Sequence, residues 1–86
     1  MEMWEGDIPW IRIGTIFRYF DKINVAAIRL TATLKIGESI KVEGRNYSFF
    51  QIVDSMQMNN ANVSEAHAGE DVGIRLVEKA KVGGEI

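Results

Sequence analysis

Few residues in this sequence could support catalysis. His67 is the only histidine and there is no cysteine, so thiol catalysis and cysteine-based zinc sites are excluded. A serine triad would have to combine His67 with Ser55 and Asp54, but their spacing does not support one. A surface loop position explains His67 better. We therefore expect a non-enzymatic protein.

The carboxylates and methionines also have ordinary explanations. Many carboxylates neighbour turn glycines, as in Gly37-Glu38, where turn formation and solvation explain them better than acid–base catalysis or a metal site. The run Met56-Gln57-Met58 could bind a soft metal, but it is more typical of packing in a strand. No phosphate-binding G-x-x-x-x-G-K-[ST] loop is present. We expect no metal, no cofactor and no nucleotide hydrolysis.

The arginines are the residues best suited to binding. Arg12, Arg18, Arg29, Arg45 and Arg75 could contact nucleic-acid phosphates, although outward strand positions also explain them as solubilising charge. Ten Lys and Arg stand against twelve Asp and Glu, which gives a net charge of −2. The chain therefore lacks the strong basic field of an avid, sequence-independent nucleic-acid binder. A local basic patch is compatible with this charge.

Short apolar runs at period two, separated by turns, predict an all-β domain that positions these residues. The predicted strands cover 11–20, 25–30, 39–43, 72–77 and 79–82. Residues 47–58 break the alternation, which indicates a bulge or a barrel corner, and 64–67 could form one helical turn. We expect about six antiparallel strands in a single small β-barrel, since closure removes exposed edges. The alternative is another small Greek-key barrel such as an OB-fold.

Glycines mark the expected strand reversals. At Gly37, Gly44 and Gly69 the chain turns back, and a positive φ is useful there. Gly73 lies within a strand, where it permits close approach of another backbone or coiling of the sheet.

The alternation along residues 11–20 divides the side chains between two faces. The predicted inward set is Ile13, Phe17 and Tyr19. Ile16 and Phe20 would then lie outside and need cover. The cover would come from the N-terminal segment 1–10, which contains Trp4, Pro9 and Trp10, from a second copy or from a partner protein. The alternative is that a bulge reverses the parity and leaves both faces partly buried.

Four short motifs follow one another in a fixed order. They are Gly14-Thr15-Ile16, Leu34–Val42 followed by Gly44, Val53–Met58, and Ala66–Ile74. Together they resemble the second domain of translational GTPases such as elongation factor Tu. Residues 19–26 and 44–57 are more similar still to stand-alone translation elongation factor-like proteins and to the barrel at the carboxy end of collagenase-like peptidases. The resemblance covers 11–86 and leaves 1–10 as an N-terminal extension.

This resemblance implies a barrel of the elongation factor domain II type and a link to translation. In elongation factors the barrel helps to hold the aminoacylated 3′ end of tRNA, and a glutamate near the terminal adenosine aligns with Gln57. Arg75 stands where an apolar residue is usual in the GTPases. No GTPase motif occurs in these 86 residues, so the resemblance implies no switch or hydrolysis.

We therefore expect a non-catalytic module that binds tRNA, ribosomal RNA or a ribosome-associated protein. The predicted binding residues are Arg12, Arg18, Phe20, Gln57 and Arg75. The alternative is a protein–protein adaptor that acts in trans with a collagenase-like peptidase or another partner. No segment has the apolar length of a signal peptide or a membrane span, so we expect a cytoplasmic monomer or weak homo-oligomer.

Overall fold

The computed structural model describes residues 11–86. The regular secondary structure in that range consists of β-strands alone. The nine strands are β1 Gly14–Phe20, β2 Val25–Leu30, β3 Leu34–Lys35, β4 Ser39–Glu43, β5 Ser48–Ile52, β6 Met56–Met58, β7 Ala61–Asn62, β8 Glu65–Ala66 and β9 Asp71–Arg75. All pairings between them are antiparallel. The predicted small antiparallel all-β domain is confirmed, and the count exceeds six because β3, β6, β7 and β8 are very short.

The strands form three sheets, and these sheets do not close into one continuous barrel. One sheet has the order β1-β2-β9-β6-β7, and the others are the pairs β3-β8 and β4-β5. Two sequence predictions were wrong in detail. Residues 79–82 form no strand, and the expected helical turn over 64–67 contains β8 instead, since pairing of Glu65–Ala66 with β3 satisfies its backbone.

The segment 83–86 joins the largest sheet to the β4-β5 pair. The Glu85 amide donates to the Glu43 carbonyl at 2.7 Å, and the Glu43 amide donates back to the Glu85 carbonyl at 2.8 Å. On the opposite side the Ile16 amide donates to the Gly84 carbonyl at 2.8 Å. The segment therefore lies between β1 and β4 and satisfies backbone groups of both strands.

The buried side chains of the longer strands form one core. The core-facing side chains of β2, β4 and β9 are Ala26, Ile28, Leu30, Ile40, Val42, Val72 and Ile74. Met56 is 1% exposed and packs in this core, as expected for a strand methionine. Each large aliphatic side chain buried in this way contributes about 1.5–3 kcal/mol of transfer free energy.

A bulge in β1 reverses the parity of its side chains. The register against β2 skips Phe17 between Ile16 and Arg18. Ile16 is fully buried, whereas Phe17 is 44% exposed. The assignment of Ile16 to the outside and Phe17 to the inside was therefore wrong, because the extra residue exchanges the two faces. The alternative, a bulge that reverses the parity, is confirmed. Tyr19 packs against the core and Phe20 is exposed, both as predicted.

The predicted corner within residues 47–58 is present. β5 pairs with β4, but after residues 53–55 the chain continues as β6, which pairs with β9. Gln51 is 8% exposed and is the one buried polar residue within 11–86. Its Nε2 donates to the Arg75 carbonyl at 3.0 Å, and its Oε1 accepts from the Val77 amide at 2.9 Å. A side-chain amide therefore connects β5 to the end of β9.

Glycines at the turns have two different roles. Gly37 and Gly69 have positive φ, at 94° and 88°, as predicted. Gly44 is not among the residues with positive φ, and that part of the prediction was wrong. It is needed for space, because a Cβ at Gly44 would lie 2.1 Å from the Tyr47 ring. The Tyr47 hydroxyl in turn accepts a hydrogen bond from the Lys81 amide at 3.0 Å.

Candidate binding face

Four of the predicted binding residues lie on the outer face of the five-stranded sheet. Arg18 is paired with Ala27, Ala27 with Gly73, and Gly73 with Gln57, so one row of residues crosses four strands. The residues on either side of Ala27 in β2 and of Gly73 in β9 are buried in the core, so Ala27 and Gly73 face the opposite side of the sheet. Arg18 and Gln57 therefore flank the two small residues Ala27 and Gly73.

A second row places Phe20 and Arg75 on the same face. Phe20 is paired with Val25, which is paired with Arg75. Residues two apart on a strand point to the same side of the sheet, so Val25 and Ala27 share this outer side. We call the surface formed by the two rows the outer face.

The outer face contains a depression with an apolar wall and an amide rim. Its lining includes the small residues Ala27 and Gly73, which we call the floor, and the apolar side chains of Phe20 and Ile23. The amide of Gln57 and the carboxylate of Asp71 also line it. Gly73 is not needed for a close backbone approach, because an added Cβ would meet only Val25 Cγ1, at an ordinary 3.5 Å. This corrects the close approach predicted for Gly73, whereas the alternative, coiling of the sheet, stays a prediction.

The rim of the depression is set by a tight hairpin. Asn59 and Asn60 have φ of 51° and 65°, the left-handed pair of a two-residue type I′ turn between β6 and β7. Asparagine tolerates this conformation better than most residues. Gln57 Nε2 donates to Asn62 Oδ1 at 3.1 Å. The turn therefore holds several side-chain amides beside the depression.

Charge on the outer face is partly neutralised by an ion pair. Arg29 Nε lies 2.9 Å from Asp71 Oδ1, and its second nitrogen lies 3.1 Å from Oδ2. The hydrogen bond from Arg29 lowers the pKa of Asp71, and the same bond raises the pKa of Arg29. The Arg29 guanidinium also lies 5.3 Å from the centre of the Phe17 ring. This cluster could not be predicted from sequence, because its members meet only through the strand register.

Arg18 and Arg75 have no carboxylate partner within residues 11–86, since the ion pairs found there involve other cations. Arg12, by contrast, does not belong to the outer face. It pairs with Glu85 at 3.1 Å and lines a separate pocket with Ile11 and Lys41. The structure thus brings together four of the five predicted residues and separates Arg12 from them.

His67 occupies the exposed loop position expected for it. Its Nδ1 lies 3.3 Å from Thr33 Oγ1, and its Nε2 lies 3.6 Å from a Glu65 carboxylate oxygen. In the part of the chain described by the structure, no three potential ligands among His, Cys, Asp and Glu form a metal-binding group. Residues 11–86 also contain no helix long and apolar enough to cross a membrane.

Comparison with known proteins gives one similar sequence. No protein-family model matches the chain. An uncharacterized protease of Methanocaldococcus jannaschii is 39% identical over 67 residues, which cover 77% of this chain. The match spans only 16% of the length of that relative. The similarity therefore concerns one region of a much longer protein.

Two solved structures have the same fold. Both are crystal structures of the C-terminal domain of a protein assigned as a U32 peptidase from Geobacillus thermoleovorans. The selenomethionine form gives a TM-score of 0.82 and covers 87% of this chain and 95% of that domain, at 13% identity. The second gives a TM-score of 0.80, with 85% of each chain covered and 13% identity. These matches support the predicted resemblance to the C-terminal barrel of collagenase-like peptidases, and the link to translation factors stays a prediction.

Proposed function

We propose that this chain is a non-catalytic docking module that binds a U32-type peptidase through the outer face. The observation that carries the proposal is the match to 95% of a domain that belongs to a larger peptidase. We infer from its position at the C-terminal end of that protein that the domain is an accessory part beside the catalytic unit. This chain would act as a separate binding partner and make with the peptidase the contacts that such a domain makes within one polypeptide.

The outer face has the composition of a protein-binding surface. Phe17, Phe20 and Ile23 are 44%, 43% and 59% exposed, and aromatic residues and arginines supply a large share of interface hot spots. The depression beside Phe20 can receive one apolar side chain of a partner. The amides of Gln57 and Asn60 on its rim can bond to the backbone of that partner.

Direct binding of a purified U32-type peptidase from the same source tests the proposal. We expect a complex whose affinity changes little between low and moderate salt, because the contact is largely apolar. Phe20→Ala should weaken it about tenfold or more, the usual effect at a hot spot. Val82→Ala is the matched control, since Val82 is 64% exposed and lies outside the outer face. Equal affinity of both variants and the unaltered chain would contradict docking at this face.

Single-stranded RNA is the second candidate ligand, and one observation favours it. Arg18 and Arg75, which lack a carboxylate partner within 11–86, share the outer face with two exposed phenylalanines. Aromatic side chains on an open sheet stack on unpaired bases, and arginines bind phosphates. Titration with tRNA and with a single-stranded oligonucleotide tests this candidate. RNA affinity should fall steeply with salt and be lost in the double variant Arg18→Glu, Arg75→Glu.

A further inference from the structure

A second depression lies between two turns and shares no residue with the outer face. One wall is formed by residues 44–47, which join β4 to β5, and the other by residues 81–84, which precede the bridge of Glu85 to β1 and β4. Its volume is about 470 Å³, and pockets that hold small molecules measure roughly 300–1,000 Å³. We call this depression the turn pocket.

Tyr47 holds the two walls of the turn pocket together. Its hydroxyl accepts a hydrogen bond from the Lys81 amide at 3.0 Å and donates one to the Lys81 carbonyl at 3.3 Å. A Cβ added at Gly84 would lie 2.4 Å from the Tyr47 hydroxyl oxygen, so this wall, like the one at Gly44, approaches the tyrosine as bare backbone. The pocket is therefore shaped by contacts within the domain.

The wall formed by residues 81–84 is a type II turn. The Gly84 amide donates to the Lys81 carbonyl at 3.1 Å, and the third residue, Gly83, has a φ of 94°, as this turn type requires. The Gly83 amide also donates to the Ile16 carbonyl at 2.8 Å. This bond attaches the turn to β1, so the backbone that carries Lys81 is fixed at both ends of the turn.

The lining of the turn pocket is positively charged. Among the described residues it contains two cations, Arg45 and Lys81, and no carboxylate. Neither cation takes part in an ion pair within residues 11–86. The side chain of Asn46 adds amide donors to the same lining.

The carboxylates that flank the two turns belong to a different pocket. Glu43 precedes the first turn and Glu85 follows the second, and both line the pocket that contains Arg12 and Lys41. There Glu85 pairs with Arg12 at 3.1 Å, and Glu43 lies 3.9 Å from Lys41. The flanking carboxylates thus do not neutralise the turn pocket.

The lining favours an anion with several oxygen atoms. A guanidinium binds two phosphate oxygens at once, and an ammonium binds phosphate as a point charge. The one aromatic ring in the lining belongs to Tyr47, which packs against Gly44 and is stacked with Phe49. Because that ring is engaged within the domain, the pocket is suited to a phosphate and not to stacking on a base.

We propose that the turn pocket binds a phosphate group. Arg45 and Lys81 contact its oxygens, and the Asn46 amide donates a further hydrogen bond. A small soluble phosphate ester and the backbone of a nucleic acid both present this group. The site is independent of the proposed peptidase docking, because it has no residue in common with the outer face.

Titration with inorganic phosphate at constant ionic strength, followed by amide NMR, tests the site. We expect saturable shifts concentrated in residues 44–47 and 81–84. The double variant Arg45→Gln, Lys81→Gln should weaken binding about tenfold or more, as the loss of charge-assisted hydrogen bonds does. The matched control is Lys22→Gln, Lys35→Gln, which removes two exposed cations that also form no ion pair within 11–86. It should bind phosphate as the unaltered chain does.

The NMR spectrum and the urea midpoint show that each variant remains folded, since all four substituted side chains are exposed. Shifts that rise without saturation would overturn the proposal. An equal loss of affinity in both double variants would also overturn it, because net charge alone would then explain binding. Unchanged affinity in the Arg45→Gln, Lys81→Gln variant would place any phosphate contact elsewhere and would overturn it too.

Two further probes identify the source of the phosphate once the site is established. Displacement of inorganic phosphate by a single-stranded oligonucleotide, with shifts at the same residues, would assign the group to a nucleic-acid backbone. Displacement by glycerol 3-phosphate and not by the oligonucleotide would assign it to a small ester. Either result supports the site. None of these measurements uses a peptidase, so failure of this proposal and failure of the docking proposal are distinguishable.

Discussion

The side chain of Gln51 acts as a backbone substitute beside Arg75. Gln51 Nε2 lies 3.0 Å from the Arg75 carbonyl oxygen, and Gln51 Oε1 lies 2.9 Å from the Val77 nitrogen. The side-chain amide directs one N–H donor and its oxygen acceptor as a neighbouring strand would direct its backbone groups. It therefore joins the β4-β5 pair to the five-stranded sheet at a point where no strand pairing does so.

Gln51→Leu should destabilise the domain by about 1–3 kcal/mol, because it leaves the Arg75 carbonyl and the Val77 amide, both in partly buried hydrogen bonds, without these partners. Gln51→Glu should cost at least as much, since the new carboxylate cannot donate to the Arg75 carbonyl and carries a charge into a buried site. Urea unfolding of each variant measures the free energy. Gln57→Leu is the control at an exposed glutamine. A Gln51→Leu variant as stable as this control would show that the two hydrogen bonds do not stabilise the fold.

Gly44→Ala and Gly73→Ala form a matched pair of substitutions. At Gly44 the new methyl would meet the Tyr47 ring at 2.1 Å, whereas at Gly73 it meets Val25 at 3.5 Å. We expect Gly44→Ala to destabilise the domain by about 1–3 kcal/mol, as overpacking does, because Tyr47 must leave its hydrogen bond to the Lys81 amide. Gly73→Ala should be near neutral or stabilising, since it reduces the entropy of the unfolded chain. Thermal unfolding of the two variants side by side checks the difference.

The ion pair between Arg29 and Asp71 predicts a pH dependence. The hydrogen bond from Arg29 lowers the pKa of Asp71 in the folded state. Its contribution to stability is therefore complete above the ordinary carboxyl pKa, about 3.9, and is lost as the pH falls through the lowered value. Asp71→Asn should remove this contribution, so the stability difference between the variant and the unaltered chain should shrink below about pH 4.

Salt provides the control for this pH effect. Both side chains of the pair are largely exposed, so 1 M salt should reduce the difference between Asp71→Asn and the unaltered chain. The measurement is the urea midpoint from pH 7 down to pH 3 at two salt concentrations. A difference that stays constant over this pH range would show that the pair does not influence folding.

Regular alternation explains which strands were predictable from sequence. In β2 the buried residues Ala26, Ile28 and Leu30 alternate strictly with their neighbours, so period two identifies both the strand and its inward face. In β1 large apolar residues occur at both parities, and the bulge at Phe17 falls between them. Nothing in the local sequence decides between regular alternation and a bulge, so the side on which Ile16 lies stayed open until the strand register was known.

The sequence predicted which residues belong to the outer face, but not that they lie together on one surface. Arg18, Phe20, Gln57 and Arg75 were identified by their types and by the resemblance to known barrels. Their grouping depends on the strand order β1-β2-β9-β6, which brings residues distant in sequence into one row. Arg12 has the same chemistry, yet it pairs with Glu85, a contact that depends on the position of the last segment between β1 and β4.

Gly73→Thr tests whether the depression on the outer face is where a ligand binds. The side chain at this position points outward from β9, and Val25 is the nearest neighbour of the added Cβ. A β-branched residue suits a strand, so we expect stability equal to or above that of the unaltered chain. The same side chain would fill the floor between Phe20 and Gln57. Affinity for the peptidase should therefore fall about tenfold or more, as for a hot-spot loss.

Measured together, stability and affinity separate the two roles of this position. A variant that is stable but no longer binds places the contact on the floor of the depression, since only the surface has changed. A variant that is stable and binds with unchanged affinity would move the contact away from Gly73. The flanking residues Phe17 and Arg18, on the far side of β2, would then be the part of the outer face to substitute next.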